Sequence, residues 1–404
     1  MDMPPVALFL VHAGLVIGLP FALWRLGRLR RWVPLVVMQI AVGLALGPSG
    51  LGRAAPDLWA VAFPAPALAA LNGLVWLGLC YFAFATGLHF DLTEIRGRGR
   101  AFATNAAATF VVPTLAGCAV AMLLLRLAPQ AAGAAAPPWA FVAGVGIAVG
   151  VTALPVLAAI LREMGESGTR LGTEALGCAA VNDAALWLGV AALLALVQGG
   201  SAWQVAGVLG AAVAFALVLG LVVRPLLARL LRHAEGKVSE REVVVLSVGL
   251  LASALATEVM GLHAVIGAFA FGAVVSKPLA RDLLAKFESF LMVVLLPFFF
   301  IVTGLKTQLG GLSGAWEVFA LTTVVSVAAK LASAALPARL QGWAWRDALA
   351  LGALVGCKGL MELVVLTLLL DKGIISPAGF SGMVLMALVT TALARPLAGV
   401  LLRR

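Results

Sequence analysis

Apolar runs of about twenty residues recur from one end of this chain to the other. Each run is long enough to cross the hydrocarbon core of a bilayer as an α-helix. The runs are continuous rather than alternating, which argues against the short period-two segments of a membrane β-barrel. With 63% of its 404 residues hydrophobic and only 11% charged, the chain is predicted to be an all-α polytopic membrane protein in a lipid bilayer.

Thirteen predicted spans account for these runs. The first is kept as a span because the N-terminus lacks the basic region of a signal peptide and arginines, not a small-residue cleavage site, follow the run. The chain ends just after the last span, so we expect regulation to reside in the membrane part or in partners. The predicted spans are residues 5–24, 33–47, 68–88, 103–126, 139–161, 171–197, 203–223, 243–259, 262–275, 287–305, 315–337, 347–370 and 379–402.

The basic residues divide unequally between the two sets of loops. With thirteen spans, 21 of the 28 lysines and arginines fall in one set and four in the other, while three lie inside spans. Basic loops stay in the cytoplasm, which predicts a cytoplasmic C-terminus and an outer N-terminus. The membrane itself is expected to be the bacterial inner membrane. Topology therefore accounts for the net charge of +10, and no nucleic-acid partner is expected.

Two of the predicted spans are interrupted. The fifth contains several glycines before Pro155, and the twelfth carries Gly352, Gly356 and Gly359 around Lys358. These spans lie seven apart, with opposite orientation, in two groups of five spans separated by the charged segment 224–242. Paired broken helices in inverted repeats indicate a transport site near the bilayer midplane, although glycine and proline also serve close helix packing.

Asp183 is the strongest candidate for an ion site. It lies deep in the sixth span, where an ionised carboxylate is costly unless it is protonated, paired or bound to a cation. The neighbouring Asn182 can ligate a cation through its carbonyl or lock a helix by hydrogen bonding. Thr152 and the carbonyls of the fifth-span break are expected to face a cation. Competition between a proton and a transported metal cation at Asp183 would suffice for exchange.

The other buried charges have two readings each. Lys330 lies mid-span, and no acid in its own span could pair with it, so it is either a tie within the core or a participant in proton coupling. Lys358 can compensate the carbonyl ends of the half-helix before it, or act in coupling. Glu362 lies four residues after Lys358 and can pair with it locally.

Enzymatic chemistry is not expected from this sequence. No Ser, His and acidic residues have the setting of a hydrolytic triad, and no phosphate-binding loop occurs. The four cysteines are scattered in apolar segments without zinc spacing, so no cofactor is expected. The substrates implied are a monovalent cation and a proton.

Four segments resemble the monovalent cation:proton antiporter superfamily, that is, the sodium/hydrogen exchanger family. They are PLVVMQIAVGLALGPSGLG at 34–52, GLHAVIGAF at 261–269, LPFFFIVTGLKT at 296–307 and KGLMELVVL at 358–366. The Asn182-Asp183 pair together with the last segment is most similar to the plant-type cation/H⁺ exchanger branch.

The resemblance implies a homodimeric antiporter with crossed discontinuous helices. It implies a dimerisation scaffold at residues 1–100 and 243–314, a moving core at 101–198 and 315–404, and a linker at 199–242. It also implies that Asp183 carries the cation and the proton, with Asn182 beside it, Thr152 near the crossover and Lys330 as the basic residue of the core.

One departure from the family bears on stoichiometry. Electrogenic relatives carry two adjacent aspartates where this chain has Asn182 and Asp183. A single carboxylate favours one-for-one exchange, whereas a lysine that releases a proton would restore charge movement. The leading hypothesis is an antiporter exchanging Na⁺ or K⁺ for H⁺ by alternating access. A sodium-coupled symporter of organic anions and a non-transporting membrane sensor are the alternatives.

Overall fold

The protein is described by a computed structural model. It describes residues 4–26, 35–89, 99–134, 137–166, 168–198, 202–231, 238–260, 262, 264–307 and 315–402. Within these residues the regular structure is helical. The first helices are α1 (Pro5–Leu26), α2 (Leu35–Leu46), α3 (Leu51–Ala54), α4 (Pro56–Ala62), α5 (Ala65–His89), α6 (Gly99–Leu127), α7 (Pro138–Gly150), α8 (Leu154–Met164) and α9 (Arg170–Gln198).

The remaining helices complete the chain. Two of the joints between them are short π-helical segments, Leu219–Val223 and Leu291–Leu295. The helices are α10 (Ala202–Val218), α11 (Arg224–Leu230), α12 (Glu240–Val259), α13 (Ala264–Val274), α14 (Lys277–Phe290), α15 (Leu296–Lys306), α16 (Ala315–Leu340), α17 (Trp345–Val355), α18 (Gly359–Asp371) and α19 (Pro377–Leu402).

The predicted all-α membrane architecture is confirmed. Ten helices in the described residues are long and apolar enough to cross a membrane, and each matches one predicted span. The other three predicted spans are not single long helices. Two are interrupted, as expected, and form α7–α8 and α17–α18, while the third is the short helix α13.

The π-helical segments were not expected from the sequence. In each case one residue separates the segment from a proline, Pro225 or Pro297. A proline inside a helix has no N–H to donate and clashes with the preceding turn. The wider π turn relieves this clash, which lets each long apolar span continue through its proline.

One compact unit consists of Met1–Gly18, Phe63–Leu92 and Ala191–Val302. In this unit α5 packs closely against α13, and α13 against α12. The contact between α5 and α13 depends on two facing glycines. A Cβ atom on Gly87 would collide with the carbonyl oxygen of Phe269, and one on Gly272 with that of Phe84.

The other compact unit consists of Leu19–Ala62, Thr93–Val190 and Thr303–Arg404. It contains the same sequence of elements twice: a long helix, two half-helices and another long helix. In the first copy, α6 to α9, these have 29, 13, 11 and 29 residues. In the second, α16 to α19, they have 26, 11, 13 and 26 residues. This pattern is the internal repeat that the paired broken spans predicted.

The facing glycines of α5 and α13 generate a stability prediction. We expect Gly87→Ala to lower the free energy of unfolding by about 1–3 kcal/mol, because the added methyl group overpacks a backbone contact. Gly73→Ala in the same helix is the control, since its Cβ would meet no atom within 4 Å. Thermal unfolding of the purified protein in detergent measures both. Equal melting temperatures for the two variants would contradict the close crossing.

Candidate functional site

The first helix break lies between α7 and α8. The chain leaves α7 after Gly150 because Val151 is extended, with φ −66° and ψ 151°. It re-enters a helix at Leu154, and Pro155 occupies the first turn, where its missing N–H is not needed. This break exposes the last carbonyl groups of α7 and the first N–H groups of α8 to other side chains.

The second helix break lies between α17 and α18. It comprises Gly356, Cys357 and Lys358, and α18 begins at Gly359. Gly359 has a φ of +58°, which disfavours any residue with a side chain. A Cβ atom there would also press on the side chains of Val156 and Ala153. Glycine at 359 therefore lets the second break lie directly against the first.

The two breaks are hydrogen-bonded to each other. The Thr152 hydroxyl donates to the carbonyl oxygen of Val355 at 2.7 Å, which satisfies the end of α17. The backbone N–H of Ala153 donates to the carbonyl oxygen of Cys357 at 3.1 Å. The discontinuous helices therefore meet at their breaks, and each supplies a partner for the other's unpaired backbone groups.

Lys358 ties the second break to the end of α7. Its ammonium group donates to the carbonyl oxygens of Ala148 and Val149 at 2.8 and 2.7 Å. We expected it to compensate the half-helix before it in the chain, but it compensates the half-helix of the other repeat. The Glu362 carboxylate is 3.7 Å from the Lys358 ammonium, so the expected local ion pair is present. Both residues are fully buried.

Lys330 in α16 makes three hydrogen bonds with its ammonium group. The acceptors are the carbonyl oxygens of Thr109 and Gly150, at 2.9 and 2.6 Å, and the hydroxyl oxygen of Thr152, at 2.8 Å. An ammonium group has three protons to donate, so these three acceptors satisfy it. Lys330 therefore finds its partners outside its own helix, and they are neutral oxygen atoms rather than a carboxylate.

The carbonyl groups at the end of α7 face cations that belong to the protein. Those of residues 148 and 149 accept from Lys358, and that of residue 150 accepts from Lys330. We expected Thr152 and these carbonyls to face a transported cation. In the structure the ammonium groups of the two lysines occupy that place, because each carbonyl at a helix C-terminus attracts positive charge.

Asn182 lies between α6 and the first break. With its amide nitrogen directed at the carbonyl oxygens of Ala106 and Cys178, 3.2 Å from each, its amide oxygen is 3.1 Å from the Thr152 hydroxyl. This orientation gives the amide nitrogen two carbonyl acceptors, so it is the one we adopt. The single Thr152 proton is donated either to the Asn182 amide oxygen or to the Val355 carbonyl oxygen, not to both at once. Asn182 thereby holds α9 against α6 and the first break. Asp183, the next residue of α9, takes no part in these contacts.

The Asp183 carboxylate, unlike that of Glu362, has no ammonium group of the described residues within ion-pair distance. The residue is only 1% exposed, and neither carboxylate oxygen makes a hydrogen bond of acceptable geometry. The backbone N–H of Leu154, at the start of α8, and the Lys330 ammonium both attract it electrostatically. Buried polar atoms are rarely left unpaired. Two unpaired oxygens at a helix N-terminus therefore suit a bound proton or a small cation.

The structure brings together the six residues singled out from the sequence. Asn182, Lys330 and Thr152 form one hydrogen-bonded group, Lys358 and Glu362 lie at the second break, and Asp183 faces the start of α8. Their roles in binding and coupling stay predictions. The geometry adds two residues that sequence reasoning missed, Thr109 and Thr391.

Thr391 in α19 caps the second break. Its hydroxyl oxygen accepts from the backbone N–H groups of Lys358 and Gly359 at 3.3 and 2.9 Å. Nothing in the sequence distinguishes it from Thr390. Thr109, by contrast, lies one helical turn after Asn105 in an apolar helix, and this polar pair at i and i+4 is a signal that could have marked the buried face of α6.

The chain was compared with known families and proteins. Residues 13–403 match the family model described as sodium/hydrogen exchanger, transmembrane. Na(+)/H(+) antiporter NhaS4 of Synechocystis sp. is 31% identical over 403 residues, which cover 98% of each chain. Cation/H(+) antiporter 15 of Arabidopsis thaliana is 32% identical over 378 residues, covering 91% of this chain and 45% of that protein. This chain thus spans about half the length of the plant relatives it matches.

A solved structure shares the fold. The sodium proton antiporter MjNhaP1 from Methanocaldococcus jannaschii, determined at pH 8, superimposes with a TM-score of 0.72 over 98% of both chains, at 16% identity. The likeness supports the architecture alone at this identity. The sequence matches confirm the resemblance to exchangers, including the plant-type branch.

The buried pair at the second break generates a stability prediction. We expect Lys358→Met to cost about 3–5 kcal/mol, because it leaves the Glu362 charge uncompensated and two carbonyl groups unpaired. The double variant Lys358→Met/Glu362→Gln should recover part of the loss, since the unpaired charge is gone. Apparent melting temperatures in detergent measure both variants. A double variant less stable than Lys358→Met would show that Glu362 is stabilised by something other than Lys358.

Proposed function

Since the chain belongs to the sodium/hydrogen exchanger family, we propose that it is a secondary antiporter exchanging a monovalent cation, Na⁺ or K⁺, for H⁺. The relatives named above are Na⁺/H⁺ or cation/H⁺ antiporters by name. The observation that carries the proposal to this chain is the Asp183 carboxylate, which is buried and has both oxygens unpaired beside the helix crossing.

A single carboxylate of this kind can couple two ions by competition. A proton neutralises it covalently, and an alkali cation neutralises it by direct coordination. An ionised carboxylate that holds neither ion has an unfavourable free energy when it is buried away from water. The ion-free charged state is therefore disfavoured, so that the site crosses the membrane loaded with one ion or the other. Because the empty charged site does not cross, movement of the cation in one direction is coupled to movement of the proton in the other.

The crossing provides the rigid frame that this competition needs. Lys330, Thr152 and Asn182 are connected by hydrogen bonds, which fixes the position of α9 relative to the break. We propose alternating access to Asp183 from the two sides, with residues 101–198 and 315–404 as the transporting core and residues 1–100 and 243–314 as the scaffold of a homodimer. We also propose the inner bacterial membrane, with the C-terminus in the cytoplasm.

Lys330 fits a fixed charge better than a proton carrier. Its three protons are donated to three acceptors at 2.6–2.9 Å, and loss of a proton would leave one of them without a donor. We therefore propose that only Asp183 changes its load during the cycle. Exchange is then one cation for one proton.

Asp183→Asn should abolish the exchange while leaving a folded protein, because asparagine keeps the shape of the side chain but cannot ionise. Proton flux into proteoliposomes after addition of Na⁺ or K⁺, followed with a pH-sensitive dye, is the measurement. Asp347→Asn is the control, since Asp347 is exposed in the first turn of α17. Flux retained in Asp183→Asn would refute the role of Asp183. Failure of both cations to move protons in the native protein would refute antiport of these ions.

One-for-one exchange predicts that the reversal point of the flux is independent of voltage. A net charge of one per cycle would shift the cation ratio at reversal by roughly 50-fold per 100 mV, since that voltage contributes about 2.3 kcal/mol per charge. We expect no shift when the membrane potential is clamped with a potassium ionophore and Na⁺ is the exchanged cation. A shift of this size would mean that a second group, with Lys330 the first candidate, also carries a proton.

A further inference from the structure

A second polar region lies at the end of the repeat unit where α6 and α9 begin and α16 ends. It is a cavity of about 430 Å³ lined by Phe102, Arg170, Thr173, Glu174, Gln341 and Trp343, among others. A water molecule occupies about 30 Å³ of liquid, so the cavity has room for about a dozen waters. We call it the vestibule. Arg170, the first residue of α9, lies on the side rich in basic residues, which we propose is cytoplasmic.

Glu174 is the acid of the vestibule. Its Oε1 atom accepts a hydrogen bond from the Asn105 amide at 2.7 Å. Among the described residues no cation pairs with it. Arg170, one helical turn before it, instead stacks on Trp343 at 4.4 Å from the ring centroid, and Arg339 donates to the Trp343 carbonyl oxygen at 2.9 Å. Arg170, which also lines the vestibule, and Arg339 therefore form no ion pair with Glu174.

Asn105, the hydrogen-bond partner of Glu174, lies outside the set of residues that line the vestibule. It is fully buried, and its amide exchanges hydrogen bonds of 2.9 and 3.1 Å with the amide of Gln341. Gln341 also donates to the carbonyl oxygen of Ala101 at 3.0 Å. Helices α6 and α9 and the turn after α16 thus supply polar groups to one place, and these groups hold Glu174 in a defined position.

Further polar groups lie along α6 and α9 between Asn105 and the ion site. On α6, Thr109 follows Asn105 by one turn. On α9, Cys178 and Asn182 follow Glu174 by one and two turns, or about 6 and 12 Å along the helix axis. The Asn182 amide contacts the carbonyl oxygens of Ala106 and Cys178, which are the backbone groups nearer to the vestibule.

We propose that Glu174 and the vestibule form an outer site that holds a hydrated monovalent cation before it reaches Asp183. The inference rests on the proposed antiport function. A carboxylate without an ion-pair partner in a polar pocket concentrates cations, and the volume lets the ion keep its water there. Asn105 and Asn182 mark the two ends of the route from this outer site to Asp183. The competing explanation is that Glu174 only ties α9 to α6 through Asn105.

Glu174→Gln separates the two explanations, because an amide oxygen can still accept the hydrogen bond from Asn105 while the charge is lost. We expect the cation concentration for half-maximal exchange to rise about threefold to tenfold, with the maximal rate within about twofold of native. The difference should shrink in high inert salt, which screens the charge. Glu166→Gln is the matched control, since Glu166 lies eight residues earlier, outside the vestibule, and should leave both constants unchanged.

A binding measurement separates this inference from the transport function. In the Asp183→Asn background the inner carboxylate is absent, so weak Na⁺ binding can be followed by sodium-23 NMR relaxation on protein in detergent. We expect the added Glu174→Gln change to reduce the excess relaxation, and the added Glu166→Gln change to have a smaller effect. Equal effects of the two changes, or native half-saturation in Glu174→Gln, would overturn the outer site even if antiport itself is observed.

Discussion

The carbonyl groups at the end of α7 determine the arrangement around them. A helix that stops inside a membrane leaves backbone groups that no water can reach, and each would cost several kcal/mol if it stayed unpaired. Lys358 at the second break and Lys330 in α16, both in the second repeat, satisfy the carbonyls of residues 148, 149 and 150. The two half-helices can therefore end where they do only because the two repeats are interleaved.

The start of each second half-helix shows how the repeats have diverged. Both α8 and α18 present N–H groups and the positive end of a helix dipole at the crossing. At α18 the hydroxyl oxygen of Thr391 accepts from the first N–H groups, so the neutral partner completes the cap. At α8 the group that faces the N–H of Leu154 is the Asp183 carboxylate. One repeat is closed by a hydroxyl, and the other is left with an ionisable group.

Sequence reasoning reached the architecture because the bilayer imposes it. Continuous apolar runs, the basic loops and the broken spans each reflect a constraint that acts on local sequence, and ten spans and both breaks appear where they were predicted. The partners of the buried lysines could not be obtained in this way. Lys358 lies at one break and serves the other, and its acceptors are backbone carbonyls, which every residue possesses. The π-helical segments before Pro225 and Pro297 also depend on how a long helix accommodates proline, which hydrophobic periodicity does not encode.

The two lysines also bear on how an alkali ion can be recognised. In potassium channels, rings of backbone carbonyls replace the water around the ion, and selectivity depends on their number and spacing. Here the three carbonyl groups best placed for that purpose already hold ammonium groups tethered to the chain. An ion beside Asp183 has to retain part of its hydration shell or take other oxygens. Discrimination between Na⁺ and K⁺ then depends on the field of one carboxylate against the cost of removing water, rather than on the fit of a carbonyl cage.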